Sequence, residues 1–374
     1  MGITVSHLIQ IMDEIAPPNL AESWDNPGLQ IGDRTWPVNK IVLALDASTH
    51  VVSAACKEKA NLLITHHPLI FKAPRSIDFN TPLGKIIQTC ITHRLSVFSA
   101  HTNYDSVSGG VNDILAKKIG LTHLLPLQPA PSATSEKYKL VVFTPAAHQE
   151  RVREALFRSG CGHIGNYSGC SFAVNGFGTF YPEKGATPFT GQPERMNQVE
   201  EVRMEAVLAR ESIAATIENV RKVHPYETVA YDLYPLFSEA GAHGLGRVGE
   251  LPEAIPFETF VSEMKTRLGL QTVKTAGASS HLVKKVALCS GSGSSLLSHF
   301  FQSGADCYVS GDLRYHDAKL IEEKGKLMAD IGHFASEHIV LEALKHKLQT
   351  IFSERKIEVD IQCCDLEKDP FHYM

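Results

Sequence analysis

Residues 40–48 read KIVLALDAS, and residues 285–293 read KVALCSGSG. In each, an apolar run of strand length closes on turn-forming residues. A second run follows each after a helix-period segment, in KEKANLLITHHP over residues 57–68 and FQSGADCYVSGDLRYHD over residues 301–317. A third run then spans 95–99 in one half and 326–331 in the other. Each third run leads into a histidine with a carboxylate four residues later, His101 with Asp105 and His333 with Glu337. Strands alternating with helices of about ten residues indicate βαβ units and a largely parallel sheet. The halves read as a degenerate internal repeat. One unit alone would not cover both faces of its sheet, so the two are expected to share a domain. Parallel strands end on one edge, and the candidate side chains all follow strands, so they are expected to converge at one sheet edge.

Working outward, helical spacing predicts helices over 5–15, 51–60, 84–93 and 111–119, and over 313–323 and 338–352 in the second half. A last strand is expected over 357–362. Residues 22–32, which include Trp24-Asp25-Asn26-Pro27, read as a turn-rich loop into a short strand. Between the halves, residues 126–135 (PLQPAPSATS) have the composition of a linker. Residues 136–236 then follow a β-α-β-β-α-β order, the ferredoxin-like plan. A glycine-rich second linker, 241–249, returns the chain. The expected fold is a discontinuous three-layer α/β domain, 1–128 with 243–374, carrying a ferredoxin-like (α+β) insert at 136–236.

Of 374 residues, 43% are hydrophobic and 21% charged, as in an ordinary globular protein. Apolar runs fall well short of the roughly 18 residues a membrane-spanning helix needs. The first residues lack the basic flank and apolar core of a signal peptide, so a cytosolic (cytoplasmic) protein is expected. The net charge of -5, with no long Lys/Arg cluster to offset it, argues against a nucleic-acid backbone as main partner. Eight cysteines form no CxxC pair and read as buried small hydrophobes.

The chemistry therefore falls to imidazoles and carboxylates. Adjacent residues on a strand point to opposite faces, so His66 and His67 work as a pair only where the strand ends, and Pro68 ends it. The alternative is a pair of capping or hydrogen-bonded histidines. Asp105 and Glu337 have an alternative of their own, as acids near helix starts. Together with His101 and His333, these groups suffice for two divalent ions. Ligation without Cys admits Zn, Fe, Mn or Co. Such a centre suits hydrolysis without a protein nucleophile. His101 is the candidate general acid/base, or holds a structural hydrogen bond. His316 and Asp312 are further pocket candidates. Ser290-Gly291-Ser292-Gly293-Ser294-Ser295, between strand and helix, reads either as an anion cradle or as a tight turn.

The ordered set His66-His67-Pro68, His101 with Asp105, Gly291-Ser292-Gly293, Gly311-Asp312 and Gly332-His333 with Glu337 resembles the Nif-three-like family. These are dinuclear-metal, ring-forming proteins often labelled GTP cyclohydrolase 1 type 2 homologs. The resemblance implies metal ligation by His66, His67, Asp105, His333 and Glu337, one carboxylate bridging two divalent ions per chain. It also implies a toroidal homohexamer. Residues 136–236, with His224-Pro225-Tyr226-Glu227, look like the PII/CutA-like insert of the long bacterial members. The expected function is a metal-dependent hydrolase acting on a small-molecule substrate, a phosphorylated nucleotide in the GTP cyclohydrolase-like case. The alternative is a metal-binding regulatory or metal-delivery protein without turnover, its insert sensing an effector.

Overall fold

The computed structural model describes residues 3–130, 137–164, 167–236 and 243–372. The chain divides into two compact units, residues 1–131 with 241–374, and residues 132–240.

In the first unit the repeat is built as two sheets. Five strands lie in the order Asp360–Cys363, Lys40–Ala44, Leu62–Thr65, Ser96–Ser99 and Gly28–Ile31. The first four are parallel, and Gly28–Ile31 closes the row antiparallel. Every residue of Leu62–Thr65 and Ser96–Ser99 is buried, as expected of parallel strands covered on both faces. Alternation sends Ile41, Leu43 and Ile64 against the helices Val5–Ile15 and Val340–Arg355. It sends Val42, Ala44 and Leu63 against Thr49–Lys57 and Pro82–His93.

The second sheet runs Lys274–Ala276, Leu327–Asp330, Cys307–Gly311, Leu282–Ser292, Gly244–Pro256 and Thr122–Pro129. Its three central strands, the repeat counterparts of Lys40–Ala44, Leu62–Thr65 and Ser96–Ser99, are parallel, and the others antiparallel. The α/β class and the two related halves hold, but the expectation of a single sheet edge does not. Antiparallel strands flank the parallel core on one side of the first sheet and on both sides of the second, so each half ends its own sheet. The histidine-bearing strand ends approach one another from two edges. Each half also lends a strand: Asp360–Cys363 joins the first sheet, and Thr122–Pro129 the second.

Both linker readings need correction. Residues 126–129 belong to the strand Thr122–Pro129 and 244–249 to the strand Gly244–Pro256, which pair with each other, while the two units divide after 131 and after 240. Residues 131–135, 241 and 242 lie outside the described residues. Prolines concealed the first strand. It is an outermost strand, where Pro126 and Pro129 are tolerated. Near this pairing the guanidinium of Arg247, 1% exposed, donates to Asp113 Oδ2 through Nε at 2.7 Å and to the carbonyl oxygens of Gly244, Gly246 and Val107.

The second unit runs Lys137–Thr144, helix Gln149–Arg158, Ser171–Phe180, Asn197–Ala209, helix Ile213–Val223 and Tyr231–Pro235. Its sheet order is fourth, first, third, second, antiparallel throughout. The strand Ser171–Phe180 is ten residues long. Among the described residues no helix is long and apolar enough to cross a membrane.

Candidate metal centre

Backbone pairing sets the two adjacent histidines. Beyond the strand Leu62–Thr65, His66 N–H donates to Ala44 O at 3.1 Å and His67 N–H to Leu45 O at 2.9 Å. Pro68 has no N–H and stops the ladder. At the ends of Ser96–Ser99 and Leu327–Asp330 the chain turns into matching five-residue helices, Thr102–Ser106 and His333–Glu337. In the second of these, histidine and acid four residues apart share a helix face. His333 Nε2 lies 3.1 Å from Glu337 Oε2.

The two half-sites meet at Glu337. Its Oε2 lies 2.9 Å from His67 Nε2, and its Oε1 3.7 Å from His66 Nε2. His66 Nε2 is also 3.6 Å from Asp105 Oδ1. The His67 and His333 Nε2 atoms are 3.3 Å apart. Each of His67, His333 and Glu337 offers a ligand atom within 4.8 Å of the others, and so do His66, His67 and His101. The structure thus brings together His66, His67, His101, Asp105, His333 and Glu337.

Every imidazole is oriented from behind. His67 Nδ1 faces Asp46 Oδ1 at 3.0 Å, His333 Nδ1 faces Asp312 Oδ2 at 2.7 Å, and His101 Nδ1 faces Asp25 Oδ1 at 2.8 Å. His66 Nδ1 donates to the carbonyl of Ala100 at 2.9 Å. A proton held on Nδ1 leaves Nε2 as the working nitrogen, the arrangement by which carboxylates and carbonyls orient metal-binding histidines. Asp25 and Asp312 fall within stretches read as a loop and a pocket candidate. Asp46 was missed as a site residue, because a lone acid after a strand reads as a turn.

Small residues let the centre close. Gly291 sits at φ +61°, and a Cβ there would stand 2.2 Å from Glu337 Oε1. A Cβ on Gly311 would stand 2.7 Å from His333 N. The Ser290–Ser295 segment serves as framework. Gly291 N–H donates to Ser336 Oγ at 2.8 Å, Ser294 Oγ to Asp317 Oδ2 at 2.6 Å, and Ser290 Oγ to Asp105 Oδ1 at 3.2 Å. Asn112, which sequence reasoning passed over, accepts from Ser290 N at 2.8 Å and donates to the Asp105 carbonyl at 3.1 Å. His316 is exposed and lies outside both groups. In the insert, His224 Nε2 donates to the Phe143 carbonyl at 2.9 Å, holding a turn.

The charges are strongly coupled. Burial opposes charge on His67, but hydrogen bonds to Asp46 and Glu337 outweigh it and hold the imidazole up at about 10. The hydrogen bond to Glu337, with further help from Asp312, raises His333 to about 9. Burial opposes ionisation of Glu337, yet His66, His333 and His67 hold its carboxyl well below the usual range. Burial and the nearby Glu337 charge raise Asp105, against His66. Burial also opposes charge on Asp25, but His101 and Thr102 lower it to about 2.

The family model described as Duf34/NIF3 (NGG1p interacting factor 3) matches residues 3–370. The chain belongs to the Duf34/NIF3 family. A Halalkalibacterium halodurans protein named GTP cyclohydrolase 1 type 2 homolog is 38% identical over 367 residues, covering 98% of each chain. The Bacillus subtilis protein of the same name is 37% identical over 373 residues, 100% of this chain and 99% of the other. Among solved structures, a Bacillus cereus protein related to NIF3 is 36% identical, with a TM-score of 0.71 and 99% of each chain covered. Staphylococcus aureus protein SA1388 is 30% identical, with a TM-score of 0.80, 100% of this chain and 99% of the other.

An observation independent of these likenesses bears on a metal in this Duf34/NIF3 chain. His66 Nε2 is buried without a hydrogen-bond partner, and its nearest carboxylate oxygens, 3.6 and 3.7 Å away, are too distant to supply one. A buried polar atom left so is costly unless something else satisfies it. A cation among these donors would. The donor set, imidazole nitrogen with carboxylate oxygen, is one that could hold a divalent transition metal.

Proposed function

We propose that the chain is a metal-dependent hydrolase that holds two divalent ions and acts on a small phosphorylated heterocycle of the purine-nucleotide kind. The observation that carries this reading is the split Glu337 carboxylate, with Oε1 toward His66 and Oε2 2.9 Å from His67 and 3.1 Å from His333. His66, Asp105 and Glu337 would hold one ion, and His67, His333 and Glu337 the other. Divalent ions in such a donor set act as Lewis acids, lowering the pKa of a coordinated water and polarising a substrate oxygen.

The protein's own residues orient and move protons. Asp46 and Asp312 fix His67 and His333. With Nδ1 committed to Asp25, His101 keeps its other ring nitrogen free to take or give a proton beside the centre. The Trp24 ring lies 6.0 Å from His101 and 5.7 Å from Phe71, and both aromatics are about half exposed, which suits stacking on a flat heterocycle. A cavity of about 720 Å³ reaches His67; Ser48, His50 and Lys368 line it as donors, together with the carboxylates of Asp46 and Glu367.

The name carried by the relatives makes GTP ring opening the first reaction to try. Metal-loaded protein is incubated with GTP and other purine nucleotides, and formate release is followed. Turnover is expected that stops with a chelator and falls about 10²–10⁴-fold in His101→Ala with metal content kept. No turnover of any nucleotide with the metals in place would contradict the reading.

A further inference from the structure

The second unit contains a cavity of about 260 Å³ that the metal centre does not use. Along Asn197–Ala209, Val202, Met204, Ala206 and Leu208 pack with residues of the two helices, so Glu201 falls on the opposite face. On the neighbouring strand a Cβ at Gly178 would stand 2.2 Å from Glu201 Oε2, so the glycine leaves room for that side chain to lie across it. Tyr226 Oη donates to Glu201 Oε1 at 2.8 Å. Residues 182–190 form another wall. Thr187 N–H donates to Glu227 Oε1 at 3.0 Å, and Gln192 N–H to Asn197 Oδ1 at 2.8 Å. This wall brings the Phe189 ring to 6.2 Å from Tyr226.

The lining therefore combines three aromatic rings, Phe180, Phe189 and Tyr226, with two carboxylates, Glu201 and Glu227. No lysine, arginine or histidine lies among the described lining residues. Two residues along the same strand from Glu201, Arg203 pairs with Glu205 through Nη2 at 3.0 Å, its buried Nε having no hydrogen-bond partner. Glu201 has no ion-pair partner among the described residues. Burial, with Glu201 beside it, raises the Tyr226 phenol, which keeps it a donor to that carboxylate. A partly desolvated carboxylate without a counter-charge favours a cation, and aromatic faces attract one as well. The geometry points to a binding site for a small organic ammonium cation, its charge set against Glu201 and its alkyl body among Phe180, Phe189 and Tyr226. Anionic ligands are disfavoured there.

The site is independent of the metal-centre reading, and its test uses the full chain. Titration calorimetry compares choline with 3,3-dimethylbutan-1-ol, which has the same shape without the charge. Choline is expected to bind saturably and at least about tenfold more tightly than the neutral compound. Glu201→Gln, with an unchanged melting temperature, is expected to weaken choline at least about tenfold. Phe189, 55% exposed, is outside the core, so Phe189→Ala keeps the fold and is expected to weaken choline about threefold or more. Equal binding of the two compounds, choline binding unmoved by Phe189→Ala or by folded Glu201→Gln, or no saturable binding up to about 10 mM would each overturn the site.

Discussion

The buried Nε2 of His66 lies 3.7 Å from Glu337 Oε1, at the point where two half-domains of one chain face each other across separate sheets. The distance is too long for a hydrogen bond and leaves the nitrogen without a partner. The opposite oxygen of the same carboxylate is within reach of His67 and His333. Each consequence of that split can be measured.

The backbone of Gly291 runs against the Glu337 carboxylate. Gly291→Ala puts a methyl group 2.2 Å from Oε1 at a left-handed φ of +61°. The carboxylate must shift, so metal affinity is expected to fall at least about tenfold, with a stability loss of about 1–3 kcal/mol. Competition with a chelating dye reads the first and urea unfolding the second.

Asp46 and Asp312 hold His67 and His333 through Nδ1 while remaining substantially exposed. Asp46→Asn and Asp312→Asn are each expected to cost about 10–100-fold in metal affinity with little change in melting temperature. Loss of fold without loss of affinity would contradict the orienting role.

Without metal, His67 and His333 are held above their ordinary value of 6.5, at about 10 and about 9. Groups raised in the folded state stabilise fully below the unfolded value, and that contribution is lost as pH rises through the folded one. The melting temperature of chelator-treated protein is therefore expected to fall from pH 6.5 towards pH 10. Glu337→Gln removes a group that raises both imidazoles and should flatten the fall. An equal slope in the variant would contradict the coupling.

Arg247 donates to Asp113 and to backbone carbonyl oxygens while almost wholly buried. Arg247→Met leaves the Asp113 charge uncompensated, and a loss of about 3–5 kcal/mol is expected in urea unfolding.

The repeat was legible because Lys40–Ser48 and Lys285–Gly293 carry apolar runs that only a covered strand explains. The strand-ending histidines were legible because Pro68 marks where the ladder stops. Sheet assembly was less legible. Pairing Asp360–Cys363 with Lys40–Ala44 links residues some 320 positions apart, and local pattern carries no information about such a contact. Thr122–Pro129 was hidden by prolines that an outermost strand tolerates. The partners behind the histidines were hardest to find. Asp46, Asn112 and Ser290 act through one hydrogen bond or a few from ordinary turn, helix and strand-end positions, and no spacing distinguishes them from solvent-facing polar residues. His101, read as standing beside the metals, lies in the same group of ligand-capable residues as His66 and His67.

The most direct measurement is the metal content of purified, metal-loaded wild type and Glu337→Gln by elemental analysis. A carboxylate shared between two ions predicts about two ions per wild-type chain and fewer than one in the variant. One ion or fewer in wild type, or an unchanged two in Glu337→Gln, would contradict the dinuclear centre.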